Sequence, residues 1–391
     1  MISFREAFEI VMNQARTLDA ERVELGNALN RILAEDVRSD VDMPPFRKST
    51  RDGYACRRED LAEELTVIET IQAGGAPTKP IGESQCSKIM TGAMVPEGAD
   101  CVVMVEFTER PSENTIRFTG TNTADNICRQ GEDINAGDIV LHKGERIGPP
   151  QIAVLAAVGC VRPRVSRQPR VGIIETGDEL VPPDVTPKGS QIRASNGHLL
   201  HAQLTATGSI PTYYGIAKDT EETINCLLKR ALAENDVVLV SGGVSMGDLD
   251  LVPDVMKKNN IDILFDRVAV KPGKPTTFGI STDAYCFGLP GNPVSTFVQF
   301  ELLVKPFLYL LQGHHFRPPH LFLPLAKDVS QKPSRRDSWV PVTITEKGEV
   351  VPCDYHGSAH INALCDAEGL ICIPGGTSYI EKGTLVDVRI I

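Results

Sequence analysis

The sequence predicts a multidomain α/β plus β protein: a three-layer, mainly parallel α/β sheet domain, an inserted β-rich module, a helical N-terminal element and a small C-terminal β-barrel. Three observations carry this. The chain has 391 residues, about two and a half times an ordinary ~150-residue domain. Strand and helix patterns alternate from residue 170 to 312. Short apolar runs broken by Gly, Pro and Asn fill residues 41–138, between two stretches of helical texture.

The elements follow in order. Phe4, Ala7, Phe8, Val11, Met12 and Ala15 recur at spacings of three and four, so the first 40 residues read as helical. Leu65–Ile71, Cys101–Phe107 and Thr115–Phe118 are strand-like runs of the β module. Gln151–Val158 returns to helical texture, and Pro163, Gln168 and Pro169 mark a linker. Residues 1–40 with 139–169 are therefore expected to form one discontinuous helical and linking domain, into which 41–138 is inserted. In 170–317, strands are expected at Arg170–Glu175, Ile210–Ala217, Asp236–Ser241, Ile263–Val270 and Ala284–Gly288. Helices are expected at Gly197–Thr207, Thr220–Glu234, Val252–Asn259 and Pro293–Leu311. Residues 318–391 carry Pro breaks and short runs such as Trp339–Ile344, Gly369–Ile373 and Thr384–Ile390, the texture of a small barrel or sandwich.

Composition narrows the function classes. Forty Lys and Arg against 51 Asp and Glu leave a net charge of −11, which opposes a nucleic-acid backbone. Aromatics at 5% leave little for base stacking. The ten cysteines are never closer than seven residues apart, so there is no CxxC redox or zinc motif, and they read as reduced thiols. The longest apolar stretch, Ile152–Val161, falls short of a membrane span, and Glu6 and Glu9 do not suit a signal or transit peptide. A cytoplasmic protein with no nucleic-acid or membrane partner is expected.

In an open α/β sheet, ligands sit beyond the carboxyl ends of the strands. The loops expected there are polar and Gly-rich: Thr176-Gly177-Asp178-Glu179, Lys218-Asp219, Ser241-Gly242-Gly243 through Asp248 and Asp250, Lys271-Pro272-Gly273-Lys274, and Leu289-Pro290-Gly291-Asn292-Pro293. Unpaired amides in such turns bind anions. Lys271 and Lys274 supply point charges for a phosphate or another oxyanion, and Glu179, Asp219 and Asp250 are hard donors for a divalent cation. Taken singly, each loop is equally well a solvated turn; their convergence on one edge makes a site, and an anionic ligand with Mg²⁺ is its natural occupant. Thr50–Ala55, Thr91–Pro96 and Arg129–Ile134 form a second polar set in the β module, each by itself an ordinary hairpin turn.

Seven stretches together resemble one family: PPFRKSTRDGYA at 44–55, MTGAMVPEGADCVVMVE at 90–106, RQGEDINAGD at 129–138, TGDEL at 176–180, SGGVSMGDLD at 241–250, VKPGKP at 270–275 and GLPGNPVS at 288–295. The chain resembles the molybdopterin molybdenumtransferases, MoeA and the E domain of gephyrin, over nearly its whole length. The resemblance implies insertion of molybdate into the dithiolene of adenylylated molybdopterin, with AMP released and Mg²⁺ required. It assigns Asp52, Thr91 and Asp133 to the β module's contribution, and Glu179, Asp219, Asp250, Lys271, Lys274, Pro290 and Pro293 to the main cleft, beside the anion-binding turn read at Ser241, Gly242 and Gly243. Ser358 lies in YHGSAH, where the family has a Gly-Ser turn. The resemblance also implies a homodimer whose cleft joins the β module of one subunit to the sheet domain of the other. The molybdopterin adenylyltransferase and acceptor molybdoenzymes are the implied protein partners.

Two positions depart from the family. Arg47 stands where an Asp is usual, and Arg51 where a Met precedes the Asp-Gly pair, placing two extra cations beside Asp52. Arg335 and Arg336 match a basic family motif only loosely, and His360 reads as a turn residue or a ligand. Two other readings fit parts of the chain: a molybdopterin adenylyltransferase, from the sheet domain alone, and a non-catalytic gephyrin-like scaffold. The β module and the C-terminal part belong to the insertion enzyme and separate it from the adenylyltransferase.

Overall fold

The fold is taken from a computed structural model that describes residues 1–244, 251–354, 357 and 359–391. Ser3 caps the first helix by accepting a hydrogen bond from the Glu6 amide, and the helix runs over Phe4–Gln14. It buries Ala7 and Val11 in the core of the sheet domain, and the Phe4 ring meets Trp339 edge-on at 5.9 Å. The expectation of a helical first 40 residues is thus corrected: the helix stops at Gln14. Beyond Ala15 the Leu18 amide is taken by the Leu311 carbonyl, and the chain continues extended.

Ala20–Arg22 pairs with Arg164–Ser166, and Val37–Arg38 with Ile139–Leu141, over a small core of Leu33, Val37, Leu141, Leu155 and Val165. The first helix is held elsewhere because its apolar stripe finds a larger apolar surface on the sheet domain.

The β module is a six-stranded sheet in the order Cys101–Met104, Gly53–Cys56, Gln85–Ile89, Glu64–Ile71, Thr115–Phe118, Thr108–Ser112. Alternating residues fill a core on each face, with Ala55, Ile89 and Val102 on one side and Tyr54, Cys56 and Val103 on the other.

The central sheet has the order Ile210–Ala217, Arg170–Thr176, Val237–Ser241, Tyr285–Leu289, Thr277–Ile280, Asp262–Phe265. The first four strands are parallel, and Thr277–Ile280 runs against both of its neighbours. Thr277–Ile280 was not expected as a strand, because Gly279 and the preceding Pro275 obscure its apolar run. Two opposed cores show that helices cover both faces. Val237 and Leu239 pack with Leu200, Val294 and Phe307, while Val238 and Val240 pack with Ile224, Leu228 and Val252. The helical stretch Pro293–Leu311, 19 residues long, is long and apolar enough to cross a membrane, with an 18-residue window of mean hydropathy 1.4, yet 83% of that window is buried inside the protein. It is a core helix.

The expected fourth strand, Ile263–Val270, is corrected. It ends at Phe265, and Val270–Lys271 leaves the central sheet to pair with Asp337–Ser338 of the C-terminal sheet. The C-terminal strands run Asp337–Ile344, Gly369–Ile373, Leu385–Ile390, His320–Pro324, with Val350–Pro352 on the first of these and a single bridge from Leu325 to Val350.

Residues 20–166 form an arm rooted at the amino end of the central sheet. Arg167 donates two hydrogen bonds of 2.7 Å to the Asp236 carboxylate, which also accepts from the Arg170 amide at 2.8 Å. Burial pushes the Asp236 carboxyl up, but Arg167 and the Arg170 amide outweigh it and hold it below its ordinary value of 3.8. A carboxyl lowered in the folded state stabilises above its unfolded pKa, and that stabilisation is lost as pH falls through the folded value. Asp236→Asn is therefore expected to cost about 2 kcal/mol at pH 7. In thermal melts the gap from the parent should close as pH falls below the ordinary carboxyl value of 3.8 and through the lower folded value; a gap that persists into strong acid would refute the charge pairing.

Candidate functional site

The loop after Val237–Ser241 turns on two glycines. Gly242 has φ +97° and Gly243 φ +62°, and a Cβ at Gly242 would stand 2.6 Å from the Thr176 carbonyl oxygen. Glycine is required at both places by conformation and at the first by space as well. The neighbouring loops are buttoned together: the Asp178 amide donates to the Asp219 carboxylate at 3.2 Å, and the Asp219 amide donates to Asp178 at 3.3 Å. These turns enclose a cavity of about 420 Å³ lined by Thr176, Glu179, Asn196, Asp219, Ser241, Gly242, Gly243, Pro290 and Asn292, among others. Pro293 opens the following helix at its first turn, with Asn292 as the N-cap.

Glu179 and Asp219 share this cavity; Asp250, the third expected metal ligand, lies outside the described residues. No cluster of three metal-ligating side chains occurs among the described residues. The donor chemistry nevertheless fits Mg²⁺, which is commonly held by one or two carboxylates together with substrate phosphates and water.

Lys271 and Lys274 line an adjoining cavity of about 620 Å³, together with Arg336, Ser338 and Trp339. Pro275, Pro290 and Asn292 line both cavities, so the two are contiguous. The expectation of acids and lysines in one cleft is refined accordingly. The acids face the sheet edge, and the lysines face the C-terminal domain, because Lys271 is drawn there by its pairing with Ser338. Arg336 donates to the Val270 carbonyl at 3.3 Å, which fixes a third cation in this cavity. Ser338 Oγ and Trp339 Nε1 are buried with no hydrogen-bond partner among the described residues. Ser358 lies outside the described residues.

In the β module, pairing of Gly53 with Ile89 brings Asp52 beside Thr91. One Asp52 oxygen accepts from the Thr91 amide at 2.6 Å and from the Thr91 hydroxyl at 2.8 Å. The amide bond, then the hydroxyl, hold the Asp52 carboxyl below its ordinary value. Asp133 is placed through its amide, which donates to the Met43 carbonyl. Of the two departures, Arg47 donates to the Ala99 carbonyl at 2.7 Å and so has a structural use, whereas Arg51 is exposed next to Asp52. Among the described residues, no hydrogen bond or ion pair joins Asp52, Thr91 or Asp133 to the sheet edge of the same chain.

Residues 2–159 match the MoeA N-terminal region (domain I and II), residues 172–309 a probable molybdopterin binding domain, and residues 323–391 the MoeA C-terminal region (domain IV). A molybdopterin molybdenumtransferase of Staphylococcus epidermidis is 39% identical over 398 residues, covering 99% of this chain and 95% of that protein. That of Bacillus subtilis is 37% identical over 405 residues, covering 99% and 93%. The chain belongs to the MoeA family.

A solved MoeA structure from Pyrococcus horikoshii superposes with a TM-score of 0.86 at 29% identity, each chain covered in full. A second from that organism gives 0.82 at 33%, covering 100% of this chain and 99% of the other. As a member of the MoeA family, the protein is a transferase of molybdenum cofactor biosynthesis. Three cavity residues escaped the sequence reading. Thr176 enters that reading only as part of its loop, Arg336 only as a loose match to a basic motif, and Asn196 lies one residue before the expected helix Gly197–Thr207. Two adjacent arginines before a strand, and the polar Ser195-Asn196-Gly197 entry to a helix, were the available signals.

Proposed function

We propose that the protein inserts molybdate into the dithiolene of adenylylated molybdopterin and releases AMP, in a Mg²⁺-dependent reaction. The observation that carries this reading is the pair of contiguous cavities, one lined by carboxylates and glycine turns and the other by three cations. A pyrophosphate-linked substrate has its phosphates in the first, with the amides of the Gly291–Asn292 turn as donors. Glu179 and Asp219 would hold Mg²⁺ there, and the ion when bound would neutralise phosphate charge. Molybdate, a tetrahedral dianion, is held by Lys271, Lys274 and Arg336 across the shared wall of Pro275, Pro290 and Asn292. Ser338 is close enough in sequence register to Lys271 to add a hydroxyl to that oxyanion.

The same reading makes the protein a cytoplasmic homodimer in which Asp52, Thr91 and Asp133 complete the cleft of the opposite subunit, with the C-terminal sheet closed into a small barrel through the Leu325–Val350 bridge. It takes its substrate from the adenylyltransferase and passes product to acceptor molybdoenzymes.

The test is incubation of the purified protein with adenylylated molybdopterin, Mg²⁺ and molybdate, following AMP release. Turnover without molybdate dependence would refute insertion. Lys271→Ala and Lys274→Ala are each expected to raise the molybdate concentration needed for half-maximal rate by about tenfold, an effect relieved by added molybdate. An unchanged molybdate dependence would return these lysines to the solvated surface.

A further inference from the structure

The turn Leu289–Pro293 has a one-sided hydrogen-bond inventory. Its first four carbonyls are all engaged: Leu289 by the Gly242 amide, Pro290 by the Ser241 and Thr296 hydroxyls, Gly291 by the Asn196 amide group, and Asn292 by the Thr296 amide. Pro290 and Pro293 have no N–H. The N–H groups of Gly291 and Asn292 find no acceptor among the described residues. A turn whose acceptors are spent and whose donors are left over selects an anion.

Asn196 is central to that asymmetry. Its Nδ2 donates to Ser241 Oγ at 2.8 Å and to the Gly291 carbonyl at 2.7 Å, and Ser241 Oγ donates onward to the Pro290 carbonyl at 3.3 Å. One side-chain amide therefore ties together the helix start at Asn196, the Ser241-Gly242-Gly243 turn and the Pro290–Asn292 turn. Asn196 is 6% exposed, and its Oδ1 has no partner among the described residues, so the two donations set its orientation.

We propose that Asn196 is a positioning residue for phosphate recognition: by holding the Gly291 carbonyl and the Ser241 hydroxyl, it leaves the turn's N–H groups to face the cavity. This deepens the proposed function and rests on its placing of the substrate phosphates in this cavity. In Asn196→Ala the Gly291 carbonyl is released and can face the ligand, where it repels an anion.

The test compares binding of AMP and adenosine by titration calorimetry, with Mg²⁺ present throughout. Asn196→Ala is expected to weaken AMP by about tenfold while leaving adenosine unchanged, so that the AMP-to-adenosine preference collapses. Asn196→Ser keeps one donor, should be intermediate, and serves if the alanine variant does not fold. The losses in Asn196→Ala and Ser241→Ala should be less than additive in the double variant, because both interrupt one relay. A preference unchanged by the substitution, or an equal loss for both ligands, overturns the positioning role. A parent protein that fails to distinguish AMP from adenosine overturns instead the phosphate placement on which the proposal rests.

Discussion

Asp52→Ala and Glu179→Ala chains, each inactive alone, are expected to regain about a quarter of the parent activity when mixed and allowed to exchange subunits. The arm carrying Asp52 and Thr91 is rooted at the amino end of the central sheet through Arg167 and Asp236, whereas Glu179 and Asp219 lie beyond the carboxyl ends of the strands. The segment that carries Asp52 is thus anchored at the end of the sheet opposite to Glu179 and Asp219. A two-fold axis allows the arm of one subunit to reach the cleft of the other. A heterodimer then contains one cleft with both defects and one with neither, and random exchange makes about half of all dimers hetero. If both residues served the same chain's cleft, every cleft would be defective. No recovery after exchange has been demonstrated by mass would remove the shared cleft.

The second large effect is expected from Asp219→Asn, which keeps the shape of the side chain and an oxygen that can accept from the Asp178 amide. What it loses is the charge. Single-turnover AMP release is expected to fall by about 10²–10³-fold, the usual cost of removing one group that stabilises developing charge. The melting temperature should stay within a few degrees, since the loop is exposed and the reciprocal amide bond from Asp219 to Asp178 survives. A rate that falls but recovers at raised Mg²⁺ locates the loss in metal affinity. An unchanged rate and unchanged Mg²⁺ dependence would take Asp219 out of the site.

Much of this architecture was legible before any coordinates. Strand Ile210–Ala217 and helices near Thr220 and Val252 follow from local periodicity, which needs no knowledge of distant residues. The glycine turns are equally local, since Gly242 and Gly243 adopt backbone angles that few other residues tolerate. The carboxyl-edge rule then gathered Glu179, Asp219, Ser241 and Pro290 on one side, and the cavity is where that rule put them.

The sequence by itself determined the order of modules, the glycine turns and the kinship of the whole chain, because each of these is written in contiguous residues. The tertiary structure alone decided that the helix Phe4–Gln14 packs on the sheet domain, that Lys271 turns away from the acids toward Arg336, and that Asn196 binds two distant turns together. Each of those contacts joins residues far apart in the chain: 66 positions separate Arg336 from the Val270 carbonyl it bonds, and 95 separate Asn196 from Gly291. A pattern read over a dozen residues carries no information on such pairs, whose closure waits on the packing of the whole sheet and its neighbouring domain.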